Sequence, residues 1–129
     1  ELVRNSDIIC TTTPSTTPVL PDDKELLRGK CIIAIGSYMP EMREIPDAVL
    51  DLVDNVYIEL PYACEESGDL SQPLASGKLT KDRVKLMHEY LVSGEKEIKE
   101  GQTTYFKSVG MGLFDVCIAQ KLYEVAKEK

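Results

Sequence analysis

The chain has 129 residues, of which 43% are hydrophobic and 29% charged, enough for one domain with a buried core and no more. Its formal net charge is −7, with the basic residues scattered among acids, so a phosphate backbone would be repelled and no nucleic-acid partner is expected. No apolar run reaches the ~20 residues that cross a bilayer and no signal peptide is visible, so the expectation is a cytoplasmic protein with no membrane partner.

The opening "ELVRNSDIIC" begins with Glu1 and reads as the end of a helix and a loop feeding straight into a strand. That is how a domain looks when cut in its middle, and a fragment is expected. Ile8, Ile9 and Cys10 with Thr11 to Thr13 form a β-prone run that Pro14 stops. "PSTTPVLP" is a loop. Asp22 and Glu25 resemble a capping box, opening a short helix that Gly29 ends. A second strand covers 31–35 and closes on Gly36-Ser37, after which "YMPEMRE" fits neither strand nor helix. "PDAVLDLVD" reads as a helix with Pro46 in its first turn and Val49, Leu50 and Val53 on one face. "NVYIEL" is a third strand.

"YACEES" is at most a helical turn, ended by Gly68. Thr80 is placed to cap a helix whose Val84, Met87 and Leu91 share a face and which stops near Gly94. "EKEIKEGQ" is a solvated connection. A long helix over 108–126 carries Leu113, Val116, Cys117, Leu122 and Val125 inward.

Strands alternating with helices predict an α/β fold with a parallel sheet. The strands are nearly continuous in apolar residues, as expected when both faces are covered. Ligands bind such sheets beyond the carboxyl ends of the strands. Two strands end there in small polar residues, Thr11-Thr12-Thr13 and Gly36-Ser37. Small residues admit a ligand to the backbone and hydroxyls offer hydrogen bonds, but Thr and Gly also simply end strands. Both readings stay open on spacing alone.

Cys10, Cys31, Cys64 and Cys117 lie far apart, with no CxxC and a single histidine, His88, so no zinc or other metal site is expected. Cys10, Cys31 and Cys117 read as small hydrophobes. "GMGLFD" (Gly110 to Asp115) imitates a dinucleotide fingerprint but puts Asp115 where the third glycine belongs, which opposes a pyrophosphate. Ser108 and the two glycines, opening a helix, still offer backbone N–H groups to a polar ligand. Glu65, Glu66 and Asp69 in "EESGD" read as a solvated turn.

"DIICTTTPSTTPVL", "AIGSYMPEMREI", "EESGDL" and "FKSVGMGLFDVCIAQKLYE" stand in an order and spacing that resemble the ornithine cyclodeaminase/mu-crystallin family, over Ser6 to Lys127. The resemblance implies NAD(P) binding, a Rossmann domain and a separate substrate and dimerisation domain. It implies that 1–107 is the C-terminal half of the NAD(P)-binding domain, a partial Rossmann-like sheet. Residues 108–129 would be a long helix returning toward a substrate domain absent here. Cofactor contacts carried over by the resemblance are Thr11, Thr12, Thr13 and Pro14, with Ile35 and Gly36 on the nicotinamide side. Ser108, Val109 and Gly110 would reach the carboxamide.

By the same resemblance the cofactor would be NAD or NADP and the ligand an amino-acid-like or imine small molecule, and a homodimer is expected. The parent would be an oxidoreductase or lyase acting by hydride transfer at a C–N bond, with this piece alone inactive. No catalytic residue is assigned. Tyr38 takes the position where lyase and dehydrogenase members carry an aspartate that meets the substrate amino group. A phenol with pKa of about 10 cannot serve as that counter-ion at neutral pH. The continuation "MPEMRE" is similar to the mu-crystallin branch, whose alternative function is non-catalytic binding of NADPH and a small ligand.

Overall fold

The computed structural model describes residues 1–94 and 98–127. Five strands form a single sheet in the order β1-β2-β5-β3-β4, and every pairing is parallel. They are β1 (Ile8–Thr11), β2 (Cys31–Ala34), β3 (Val56–Ile58), β4 (Val84–Leu86) and β5 (Thr104–Lys107). The helices are α1 (Lys24–Leu27), α2 (Asp47–Leu52), α3 (Ala63–Glu66), α4 (Gly68–Ser76), α5 (Met87–Ser93) and α6 (Gly112–Lys127). The expected α/β fold, with its parallel sheet, flanking helices and long C-terminal helix, is the fold observed. Among the described residues no helix is long and apolar enough to cross a membrane.

Parallel register sets which side chains share a face. Thr11, Ala34, Lys107 and Ile58 are linked in register, as are Ile9, Ile32, Tyr105 and Val56. This face holds the core, with Leu27, Val49, Leu50, Ala63 and Leu70 from the helices packed on Ile32, Ala34, Val56 and Ile58. Burying such side chains contributes about 1.5–3 kcal/mol each. The opposite face is covered less than the apolar runs suggest. Ile8 is 66% exposed and Cys10 is exposed, while Cys31, Ile33 and Phe106 are half-buried. Tyr57 is the exception on that face, buried against Tyr90 of α5 with ring centroids 5.1 Å apart.

Several expected elements change. The helix expected between Thr80 and Gly94 is a 3-10 turn (Lys81–Arg83), then β4, then the shorter α5. Val84 and Leu86 are half-buried on either side of exposed Lys85, the alternation of a strand, and the segment pairs with Val56 to Ile58. The stretch "TTYFK", β-prone by composition, does form β5, which inserts between β2 and β3.

Gly68 does not end a helix; it begins α4, whose N-cap Ser67 accepts from the Asp69 N–H at 3.2 Å. Asp23, rather than Asp22, caps α1 by accepting from the Glu25 and Leu26 N–H groups. Asp22 instead accepts from the Ala48 N–H at the start of α2. The long helix starts at Gly112, and its Leu113, Val116, Cys117, Leu122 and Val125 are exposed rather than turned inward. Cys10 is likewise exposed, although it had read as a small core residue. Part of the "EKEIKEGQ" connection, residues 95–97, lies outside the described residues.

Candidate functional site

The strand order brings the carboxyl ends of β1, β2, β5 and β3 side by side. Four sequence segments far apart in the chain therefore meet. They are Thr11 to Pro14, Gly36 to Ile45, Ser67 to Asp69, and Lys107 to Gly110.

Glu44 stands at their centre, fully buried. One carboxylate oxygen, Oε1, accepts from the Thr13 N–H at 2.6 Å and the Thr13 hydroxyl at 2.9 Å. The other, Oε2, accepts from the Thr11 hydroxyl at 2.9 Å and the Gly36 N–H at 2.8 Å. A buried carboxylate is tolerated only when so provided with donors. Gly36 has no room for a side chain, since a Cβ there would lie 2.2 Å from the Thr13 nitrogen. Its smallness serves the contact between two strand ends, where ligand access had been the sequence-level argument.

The segment that follows β2 is held from α4. The Ser37 hydroxyl donates to the Met42 carbonyl at 2.8 Å and shares a 2.8 Å hydrogen bond with the Ser67 hydroxyl. The Gly68 N–H donates to the Met39 carbonyl at 3.0 Å, and Gln72 donates to the Pro40 carbonyl at 2.9 Å. A Cβ on Gly68 would sit 2.1 Å from the Met42 carbonyl oxygen. Asp69, far from being a solvated turn residue, is buried, and its Oδ1 accepts from the Glu44 and Ile45 N–H groups at 2.7 and 3.0 Å. Glu65 and Glu66 are exposed as expected.

Lys107 points its ammonium at Asp69 Oδ2 across 3.4 Å, with both side chains fully buried. Burial pushes the Asp69 carboxyl up and the Lys107 ammonium down, and each group opposes the other's shift by attraction. Tyr105, one step back on the same face, has its phenol pushed up by burial and then by the Asp69 and Glu44 charges. Beyond Lys107, Glu59 Oε1 accepts from the Ser108 hydroxyl at 2.8 Å and the Val109 N–H at 2.6 Å. The Ser108 N–H donates to the Ala34 carbonyl, and the Gly110 N–H to the Ser108 hydroxyl. The N–H groups of Ser108, Val109 and Gly110, expected to be free for a ligand, are thus all engaged within the chain.

The expected site residues fall into two layers. Thr11 and Ser108, both buried, and Thr13 and Gly36, both half-buried, belong to the layer just described. Thr12 and Pro14 are exposed above β1, Ile35 and Tyr38 above β2 (41% and 53% exposed), and Gly110 above β5. Val109 is half-buried between the layers. The exposed layer offers a branched aliphatic side chain, a hydroxyl and a phenol. Sequence reasoning missed Asp69, Glu59 and Lys107 as members of this site. The signal available was a lysine inside a strand of an all-parallel sheet, where both neighbours bury it.

Two hollows flank the site. A groove of about 350 Å³ runs along the unpaired edge of β1, lined by Leu2, Ile8, Cys10, Thr12, Val19 and their neighbours. A larger one of about 660 Å³ lies between α4 and β4, lined by Ile58, Cys64, Leu74, Val84 and Leu86. It holds none of the strand-end residues above. Size alone would point away from the convergent polar groups.

Comparison with known proteins gives a consistent picture. The sequence profile of the ornithine cyclodeaminase/mu-crystallin family matches residues 1–129. A Delta(1)-pyrroline-2-carboxylate reductase of Bacillus cereus is 37% identical over 132 residues, covering 100% of this chain and 40% of that protein. A probable ornithine cyclodeaminase from Bordetella pertussis superposes with a TM-score of 0.78 at 30% identity, over 99% of this chain and 42% of that one. The Delta(1)-pyrroline-2-carboxylate reductase of Thermococcus litoralis, solved with NADH and L-proline, has the same fold (TM-score 0.78, 24% identity, 98% of this chain and 39% of that one). The chain thus spans about 40% of the length of the reductase it matches in sequence.

Proposed function

This chain belongs to the ornithine cyclodeaminase/mu-crystallin family, and from that membership we propose that it forms the nicotinamide-facing half of an NAD(P)-binding domain in an oxidoreductase. The substrate class is a cyclic imine carrying a carboxylate, of the Delta(1)-pyrroline-2-carboxylate type. The observation that carries this reading is the 37% identity to such a reductase across the whole chain. The exposed strand ends support it, because Ile35, Thr12, Pro14 and Tyr38 present a surface on which a nicotinamide ring fits. These residues would hold a reduced nicotinamide, whose chemistry would be donation of hydride to the imine carbon as the imine nitrogen takes one proton, turning C=N into CH–NH with the cofactor losing two electrons.

Within this scheme the chain's own residues bind and orient. In this reading Ile35 and Gly36 lie on the nicotinamide side, Ser108 to Gly110 reach the carboxamide, and Tyr38 faces the substrate. The unpaired edge of β1, with exposed Ile8 and Val19 beside it, is where the remaining strands of the cofactor domain pair. Residues 1–107 are assigned to that domain, and 108–129 to a helix that packs on a substrate and dimerisation domain. The whole protein is then a homodimer.

Tyr38 favours a second reading, a protein that holds NADPH and a small ligand without turnover, since no carboxylate stands at that position. The test is oxidation of NADH or NADPH by the whole protein with cyclic imines, and with keto acids plus ammonia. Turnover on the imine is expected. Ligand binding without turnover would establish the second reading instead.

A further inference from the structure

We propose that Glu44 is a positioning residue for the nicotinamide, acting through the backbone of β1 and β2 rather than by touching the cofactor. The inference rests on the cofactor reading above. Glu44 lies outside both strands, yet its single carboxylate takes donors from each strand end: Thr11 and Thr13 on one side, Gly36 on the other. The strand ladder itself stops at Thr11 and Ala34. Beyond it, the Ile35 N–H donates to the Thr11 carbonyl (2.9 Å) and the Arg43 N–H to the Ser15 carbonyl (2.8 Å), while the Glu44 carboxylate bridges the two strand ends between these bonds. Glu44 therefore sets the separation of the exposed Thr12 and Pro14 from the exposed Ile35 and Tyr38.

Glu44 is in turn fixed from outside. Its N–H is held by Asp69 Oδ1 at 2.7 Å, and its carbonyl accepts from the Val19 N–H at 2.8 Å. Asp69 faces Lys107, and the residue after Lys107 is Ser108, which Glu59 holds. One buried network thus spaces the ends of β1, β2 and β5 from one another. A carboxylate is needed for this task. Two of its four donors are backbone N–H groups, which cannot reverse, and they sit on different oxygens. An amide in the same place would turn an NH₂ toward one of them whichever way it lay.

The test uses the whole protein carrying Glu44→Gln, with binding of NADH and of ADP-ribose (which lacks the nicotinamide) measured alongside single-turnover imine reduction. A positioning role predicts ADP-ribose affinity within about twofold of wild type, while hydride transfer falls by about tenfold or more and the fluorescence of bound NADH shifts. Equal weakening of NADH and ADP-ribose with a lowered melting temperature would make Glu44 merely structural and overturn the proposal, as would no change in either. If Glu44→Gln does not fold, Thr11→Val, which removes one hydroxyl donor and keeps the carboxylate, is judged by the same contrast. Wild-type protein that binds neither nucleotide would overturn the cofactor reading, and this proposal with it. Wild-type turnover with an unaffected Glu44→Gln would sink this proposal alone.

Discussion

Lys107 ends the central strand with its side chain on the core face, where water cannot reach it. Its ammonium has Asp69 as its near counter-charge, with the Glu44 and Glu59 carboxylates also favouring its charged form. Removing one partner from a buried pair costs more than the pair contributes, about 3–5 kcal/mol. Lys107→Met is therefore expected to destabilise the protein by that order, with a pH signature. Asp69 already has a raised pKa from burial, and loss of the cation raises it further. Between the unfolded value and that raised value the folded state holds the extra proton, so stability falls as pH rises through the window. Urea unfolding should show a larger deficit for Lys107→Met at about pH 8 than at about pH 5. A deficit independent of pH would contradict the account. At this scale the sequence was least legible, because Asp69 looks like a turn acid until α4 and β5 are both in place.

At the level of elements, α2 is only six residues long and ends without a basic residue in its last turn. Arg83, from the 3-10 turn before β4, supplies what is missing. Its guanidinium donates to the Leu50 and Val53 carbonyls at 2.6 and 2.7 Å and, through Nε, to the Asp54 carbonyl at 3.1 Å. These are charge-assisted bonds to carbonyls at the helix end, so Arg83→Met is expected to cost about 2–3 kcal/mol and to loosen β4.

The contrast is Asp51, whose carboxyl is held down by exposed Lys24 and half-buried Lys78. That contribution is present above the unfolded pKa and is lost as pH falls through the depressed folded one. Because solvent screens it, Asp51→Asn should have a small effect that added salt abolishes. Thermal unfolding of both variants at low and high salt checks the pair, and a larger loss at Asp51 would contradict it. The first strands and α2 were legible because apolar runs and Pro46 mark them plainly. The stretch from Thr80 to Gly94 was not, since Val84, Met87 and Leu91 fit a helical face and only pairing with β3 reveals the strand.

For the molecule as a whole, the covered face of the sheet holds the core, while other apolar surfaces stay uncovered. One edge of the sheet carries exposed Ile8, and α6 exposes Leu113, Val116, Leu122 and Tyr123. The family motifs were legible as four separate strings, whereas their convergence on Glu44, Asp69 and Lys107 required the strand order, which places the last strand in the middle. The central claim is that the exposed ends of β1, β2 and β5 form one nicotinamide-facing surface. A crystal structure of the whole protein with NADH tests it most directly. The nicotinamide ring is expected within contact distance, about 4 Å, of Ile35, with its carboxamide toward Ser108 to Gly110. A ring bound elsewhere, with these strand ends left facing solvent, would contradict the account.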